Sequence, residues 1–435
     1  HPPTLPHIGA PRRPLPGATP VRTVAPVRAV RQAGATGAAL LALVAASACT
    51  SPPDVQQLST LLPADEAVSF AVHGARPAAD LAPDVDTVVF PVDPARGEYP
   101  RIPVLLRTPA ALVAVASIRR GSIDDAAPSS LRAATSTDGG RTWAEHEVAP
   151  NRSAADGDAA AVRDPATGEL LVLGHDLYAS TDDGASWSAR PLVVLPNAAG
   201  VVGDPGGPGT GIALQHGPHA GRLVVMCRAT VATPLPDVLE ALAGRPSASN
   251  CVLTSDDHGA TWRTSTTVQT GVGEGSVVEL GDGRLYMSSR TYLYDGRRSE
   301  AYSGDSGSTW TAFARSVLPE PAFGVNGSLA RTVDPATGAA TVVYANEPEW
   351  TAPFGLVPPV RHDLSLYLSS DDARTWRFAK VLHRGPAAYS SMSTDGTQVG
   401  VLYESVVQGV NDVRSPTDPP DGIRFASFDV HRLAG

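Results

Sequence analysis

Lysine is all but missing from this chain: Lys380 is the only one, and arginine supplies the rest of the 34 basic residues, against 44 acidic ones. The net charge is −10 and no basic stripe runs along the sequence, so the phosphate backbone of a nucleic acid finds no matching surface. Nucleic-acid binding is set aside on that ground. Long amphipathic helical periods are scarce, aromatics reach only 6%, and cysteines number three. Glycine and proline, by contrast, stand at 41 and 40 and punctuate many short apolar runs. With 42% hydrophobic residues in a chain of 435, a large core built from short strands is within reach.

The first fifty residues read as export machinery. Arg12, Arg13, Arg22, Arg28 and Arg31 precede an apolar run from Ala33 to Ala46, too short for a bilayer span but suited to a signal-peptide core. Ala46-Ser47-Ala48 then offers a cleavage site that leaves Cys49 first, the candidate for a lipid tether to a membrane, although such boxes usually carry leucine at the place of Ala46. The expected organisation is an export signal over 1–49, an irregular linker over 50–85 and a folded domain over 86–435, with the protein extracellular or at the cell surface. Cys227 closes one apolar strand and Cys251 opens the next. If those strands pair, an oxidising compartment joins the two sulfurs; two buried thiols are the alternative.

One motif organises the domain. Ser-x-Asp-x-Gly-x-x-Trp stands at Ser136–Trp143, Ser180–Trp187, Ser255–Trp262 and Ser303–Trp310, and a fifth copy, Ser369–Trp376, has Ala373 in place of glycine. Each follows an apolar run and reads as a hairpin: Ser and Asp bond the turn backbone, Gly takes positive φ, and Trp returns as a buried anchor. The copies lie 44, 75, 48 and 66 residues apart, too irregular for a solenoid but natural for propeller blades with loop insertions. The expected fold is all-β, a six-bladed β-propeller with blades opening near 100, 157, 210, 272, 323 and 386. A strand at Thr87–Val92 would close the ring.

Chemistry must then come from inner strand ends and axial loops. Those places hold Arg101 in Arg101-Ile102-Pro103, a polar loop Arg119 to Asp125, Glu274 sixteen positions before Arg290, and Arg361 twenty-eight positions before Tyr389. These residues resemble the signature of the bacterial exo-α-sialidases (neuraminidases), as do Ile212 to Val225 and Gly400 to Glu404. The resemblance implies an Asp-box propeller in which Arg101, Arg290 and Arg361 grip the sialic acid carboxylate. It also implies Asp124 as acid/base, with Asp125 as the alternative, Glu274 as the partner of a nucleophilic Tyr389, and Asp158 on the wall of the sugar pocket.

The chemistry suits those residue types. A substrate with a carboxylate on its anomeric carbon repels a carboxylate nucleophile, whereas a neutral phenol approaches freely and needs only a neighbouring base to take its proton. Sialidases with a tyrosine nucleophile are a recognised exception to the two-carboxylate rule of glycosidases. The implied reaction is hydrolysis of terminal sialic acid from glycoconjugates, with no metal or cofactor, by a monomer. A trans-sialidase would need an acceptor platform, for which 6% aromatics offer no clear candidate. A non-catalytic glycan-binding propeller would tolerate loss of the acid or nucleophile.

Overall fold

The computed structural model describes residues 80–125, 127–152, 158–230, 248–269, 274–290, 296–321, 324–348, 361–405 and 422–433. The export signal with Cys49, and the linker up to residue 79, lie outside the described residues.

Six antiparallel sheets follow one another along the chain, each a blade whose first strand lies innermost. The inner strands are Glu98–Arg107, Ala160–Arg163, Ile212–Ala213, Gly275–Glu279, Ser328–Val333 and Ser390–Asp395. All open within six residues of the positions expected. Blade six takes its outer strand from the other end of the domain: Val85–Pro91 pairs antiparallel with Gly422–Asp429, in the register Val85 to Ser427. Apolar clusters fill the spaces between neighbouring blades, as where Val104, Val113 and Val115 of blade one meet Ala161 and Val172 of blade two.

Blades two and three depart from the four-stranded plan. The segment between them adds Gly209–Thr210 in parallel inside Ala160–Arg163, and Val194–Leu195 in parallel outside Trp262–Thr264. Two-residue parallel additions carry no alternating pattern, so the Pro/Gly-rich stretch that forms them reads as plain loop in the sequence. In blade three, Cys227 and Cys251 face each other across the strand pair and are joined as a disulfide, with Cα atoms 4.9 Å apart.

The five hairpin motifs share one hydrogen-bond scheme. In the first, Ser136 Oγ donates to Asp138 Oδ1 (2.8 Å) and accepts from Gly140 N (2.8 Å), while Thr142 N donates to Asp138 Oδ1 (3.0 Å). The same donors gather on Asp182, where the hydroxyl of Ser186, then its backbone N–H, hold the carboxyl down to about 2. The tryptophans are less uniformly buried than expected. Trp262 and Trp376 are buried, whereas Trp143 and Trp187 are partly exposed at the edges of their clusters. Trp143 instead staples the ring closure: its Nε1 donates to Thr87 Oγ1 (3.1 Å) and its ring meets Phe425 edge-on at 5.4 Å.

Ala373 sits at φ 62, where the other copies place glycine. A left-handed alanine costs about 1–2 kcal/mol, but its buried methyl returns about 0.8 kcal/mol in the cluster around Trp376. Ala373→Gly should therefore move stability by less than about 1 kcal/mol, measured by chemical denaturation. A loss of several kcal/mol would mean the methyl is a packing element in its own right.

Candidate active site

Local geometry brings side chains from all six blades to one mouth of the ring. Arg101 lies near the start of the blade-one inner strand, where the register slips between Arg101 and Val104 and Ile102 takes φ 56. Such a conformation is strained for a β-branched residue. Glu404, at the end of the second strand of blade six, holds it: Oε1 accepts from Arg101 Nε (2.8 Å) and from Ile102 N (2.7 Å). Burial lowers the Arg101 guanidinium's affinity for its proton, but the charge of Glu404 more than restores it.

Tyr389 immediately precedes the inner strand of blade six and packs with Ile102, Val325 and Ala388. Its hydroxyl lies 3.0 and 2.9 Å from the two carboxylate oxygens of Glu274 and accepts from Arg290 Nη1 at 2.9 Å. Arg290 Nη1 also bonds Glu274 Oε2 at 2.6 Å. Glu274 and Arg290 flank a blade-four hairpin, Gly275–Glu279 with Leu285–Ser289, and Arg290 N donates to Glu274 O (3.0 Å). The sixteen-residue spacing is thus the length of one strand pair with its turn.

Arg361 enters from blade five just before the strand His362–Ser369, and its Nη2 donates to Gly324 O (2.6 Å). Gly324 has φ 63, and a Cβ there would lie 2.6 Å from Arg290 Cγ, so only glycine lets the two arginines share this wall. The guanidinium carbons of Arg101 and Arg361 stand 5.7 and 5.8 Å from the centroid of the Tyr389 ring. Burial, then the positive charge of Arg290, pull the Arg361 guanidinium below its usual range.

The field divides the acids. Burial pushes Glu274 up, but Arg290 and Arg228 outweigh it and hold the carboxyl below its ordinary value. Burial and then the charge of Glu274 raise the phenol of Tyr389, with Arg290 and Arg361 opposing. Tyr389 is therefore a neutral O–H donor to an ionised carboxylate. Asp158, just ahead of the blade-two inner strand, is raised by burial and by Glu274.

Arg228, which sequence reasoning passed over, joins this group from blade three. Its Nη2 lies 3.1 Å from Asp158 Oδ2 and 3.7 Å from Glu274 Oε1. The signal was its position, one residue after Cys227 at the mouth end of an otherwise apolar strand, Leu223–Thr230. In the blade-one loop, Ser122 Oγ donates to Asp124 Oδ2 (2.7 Å), while Asp125 pairs with the buried Arg119 at 2.8 Å and contributes to the field at Arg101. Asp124 and Asp125 are both exposed. Among the described residues, no group of three His, Cys, Asp or Glu side chains could hold a metal ion.

Six blades, five of them carrying Asp-box hairpins, and one polar site at an axial mouth define the class as an Asp-box β-propeller. The chain belongs to the BNR repeat-like domain family, which matches residues 162–401. It is 31% identical to a sialidase of Micromonospora viridifaciens over 378 residues, covering 77% of this chain and 52% of that one. It is also 31% identical to Sialidase-2 of Cricetulus griseus over 244 residues, covering 52% and 60% respectively. The chain spans about half the length of the curated relatives it matches. Among solved structures, the intramolecular trans-sialidase from Ruminococcus gnavus, in complex with oseltamivir carboxylate, superposes with a TM-score of 0.57 at 16% identity, over 82% of this chain and 99% of that one. The NanB sialidase from Streptococcus pneumoniae gives a TM-score of 0.58 at 16% identity, over 79% and 70%. These structural likenesses speak to the fold.

Proposed function

We propose that this chain is an exo-α-sialidase, hydrolysing terminal α-linked sialic acids from glycoconjugates with retention through a tyrosyl-enzyme intermediate. The observation that carries the reading is the contact of the Tyr389 hydroxyl with Glu274, beneath guanidinium groups drawn from three blades. Arg101, Arg290 and Arg361 repel one another unless an anion lies between them, and a sugar carboxylate supplies it. That anchors the anomeric carbon over the phenol. Glu274 takes the Tyr389 proton as the phenolic oxygen bonds to that carbon and the glycosidic bond breaks, the departing oxygen collecting a proton from the blade-one loop. Water, deprotonated by the carboxylate that the acid has become, then attacks the anomeric carbon and displaces the Tyr389 oxygen, which regains its proton from Glu274. The Arg228–Asp158 pair faces the rest of the ring and would select its polar substituents.

Asp124 is assigned the acid/base role; the reach of Asp125 to Arg119 and Arg101 favours Asp125 as the second reading. A fluorogenic α-sialoside assay tests the function, and Asp124→Ala against Asp125→Ala tests the assignment. The acid's removal should lower kcat toward a poor leaving group by roughly 10²–10⁴-fold, with a smaller loss on an activated aryl sialoside. Equal, small losses in both variants would remove the loop from the chemistry. Product analysis with sialyllactose and added lactose separates hydrolysis from transfer, and a wild-type protein that binds sialosides without turnover would leave a glycan-binding propeller. We place the enzyme outside the cytoplasm, a reading supported by the leader's composition, and take it to act as a monomer.

A further inference from the structure

The ring has a second mouth. Along the blade-one inner strand, Arg101 and Arg107 are six residues apart, roughly 20 Å at strand rise, so the far end of this strand opens away from Tyr389. There the inner strands surround a cavity of about 620 Å³ whose lining includes Arg107, Arg163, Arg331, Thr210, Ser393 and Glu279. A volume of that size lies within the usual range for small-molecule pockets.

Its charge is unbalanced. Glu279 is the acid of the lining, and it is already engaged, accepting from the backbone N–H groups of Gln215 (2.6 Å) and His216 (3.0 Å). His216 Nδ1 stands 3.3 Å from the same carboxylate. Outside the lining, Asp395 reaches Arg107 only at 3.4 Å with its own side chain 70% exposed, and Asp372 is 3.8 Å from Arg331. No ion pair to Arg163 occurs among the described residues. The Nε atoms of Arg107, Arg163 and Arg331, and Ser393 Oγ, are all buried without a hydrogen-bond partner among the described residues. Burial lowers the Arg107 guanidinium's hold on its proton, and Asp395 only partly opposes this. Three guanidinium groups from blades one, two and five, in a protein of net charge −10, form an anion receptor that the carboxylates of the fold only partly neutralise.

We propose that this second mouth binds a small organic or inorganic oxyanion, its carboxylate or phosphate group held by Arg107, Arg163 and Arg331. The site is separate from the one around Tyr389 and does not depend on the reaction assigned there. Because the opposite mouth also holds arginines, the test uses the Arg361→Ala protein as its background. Calorimetric titration with citrate in one arm and inorganic phosphate in the other, at low salt, should show one site in that background. Adding Arg163→Gln should weaken it at least tenfold, and adding Arg107→Gln, at the more exposed edge, should weaken it also. The better probe identifies the anion class. In an otherwise wild-type protein, Arg163→Gln should leave sialoside turnover unchanged, which confirms that it folds. Anion binding abolished by Arg361→Ala alone, binding indifferent to Arg163→Gln and Arg107→Gln, or no binding of either anion would each overturn the proposal.

Discussion

Tyr389→Phe should lower kcat toward a natural sialoside by roughly a hundredfold or more while changing KM little. The ring contributes packing against Ile102, Val325 and Ala388 and lies under the guanidinium groups of Arg101 and Arg361, all of which phenylalanine keeps. The substitution removes only the oxygen that Glu274 and Arg290 hold. Binding of a sialic acid analogue should survive within a few-fold, so the loss appears in the chemical step. The partner effect concerns pH. In the proposed mechanism Glu274 acts ionised, and its carboxyl is held below the usual value of about 4.3, so its acidic limb in kcat/KM should lie below that value. Glu274→Gln should remove that limb along with most of the rate. Unreduced turnover by the phenylalanine protein would end the nucleophile assignment.

The second large effect is on stability. Arg101 and Glu404 are both nearly inaccessible, and Glu404 is the acceptor for a strained backbone at Ile102 as well as for the guanidinium. Removing one member of a buried ion pair leaves the other charged and unpaired, which typically costs about 3–5 kcal/mol. Glu404→Ala should therefore lower the unfolding free energy measured by chemical denaturation by that amount, and Glu404→Gln, which keeps an acceptor for Ile102 N, should lose less. Both should raise KM, because Arg101 loses its anchor. A fully stable Glu404→Ala protein would show that Arg101 finds another partner and that the pair is not what positions it.

Much of this architecture was legible because the blade hairpin is a local device. Serine, aspartate, glycine and tryptophan at fixed offsets close a turn regardless of what surrounds it, so five blades announce themselves in order. The Glu274–Arg290 spacing is readable for the same reason, being one hairpin long. What escaped notice depends on distance. Glu404 stands 303 residues from Arg101 and nothing in its own strand marks it as a counter-ion. Arg228 meets Asp158 across 70 residues, from a strand whose other members are mostly apolar. The short parallel additions beside blades two and three are likewise defined only by the neighbours they join.

The strand Val85–Pro91 finds its place only against Gly422–Asp429. Val85 faces Ser427, so this strand leaves the ribosome ahead of all six inner strands and waits for nearly the whole domain before it has anything to pair with. Until residue 429 emerges, blade six lacks two of its four members and the annulus stays open. Since Tyr389 and Glu404 belong to that last blade, the candidate site stays incomplete until the first and last strands of the propeller have met.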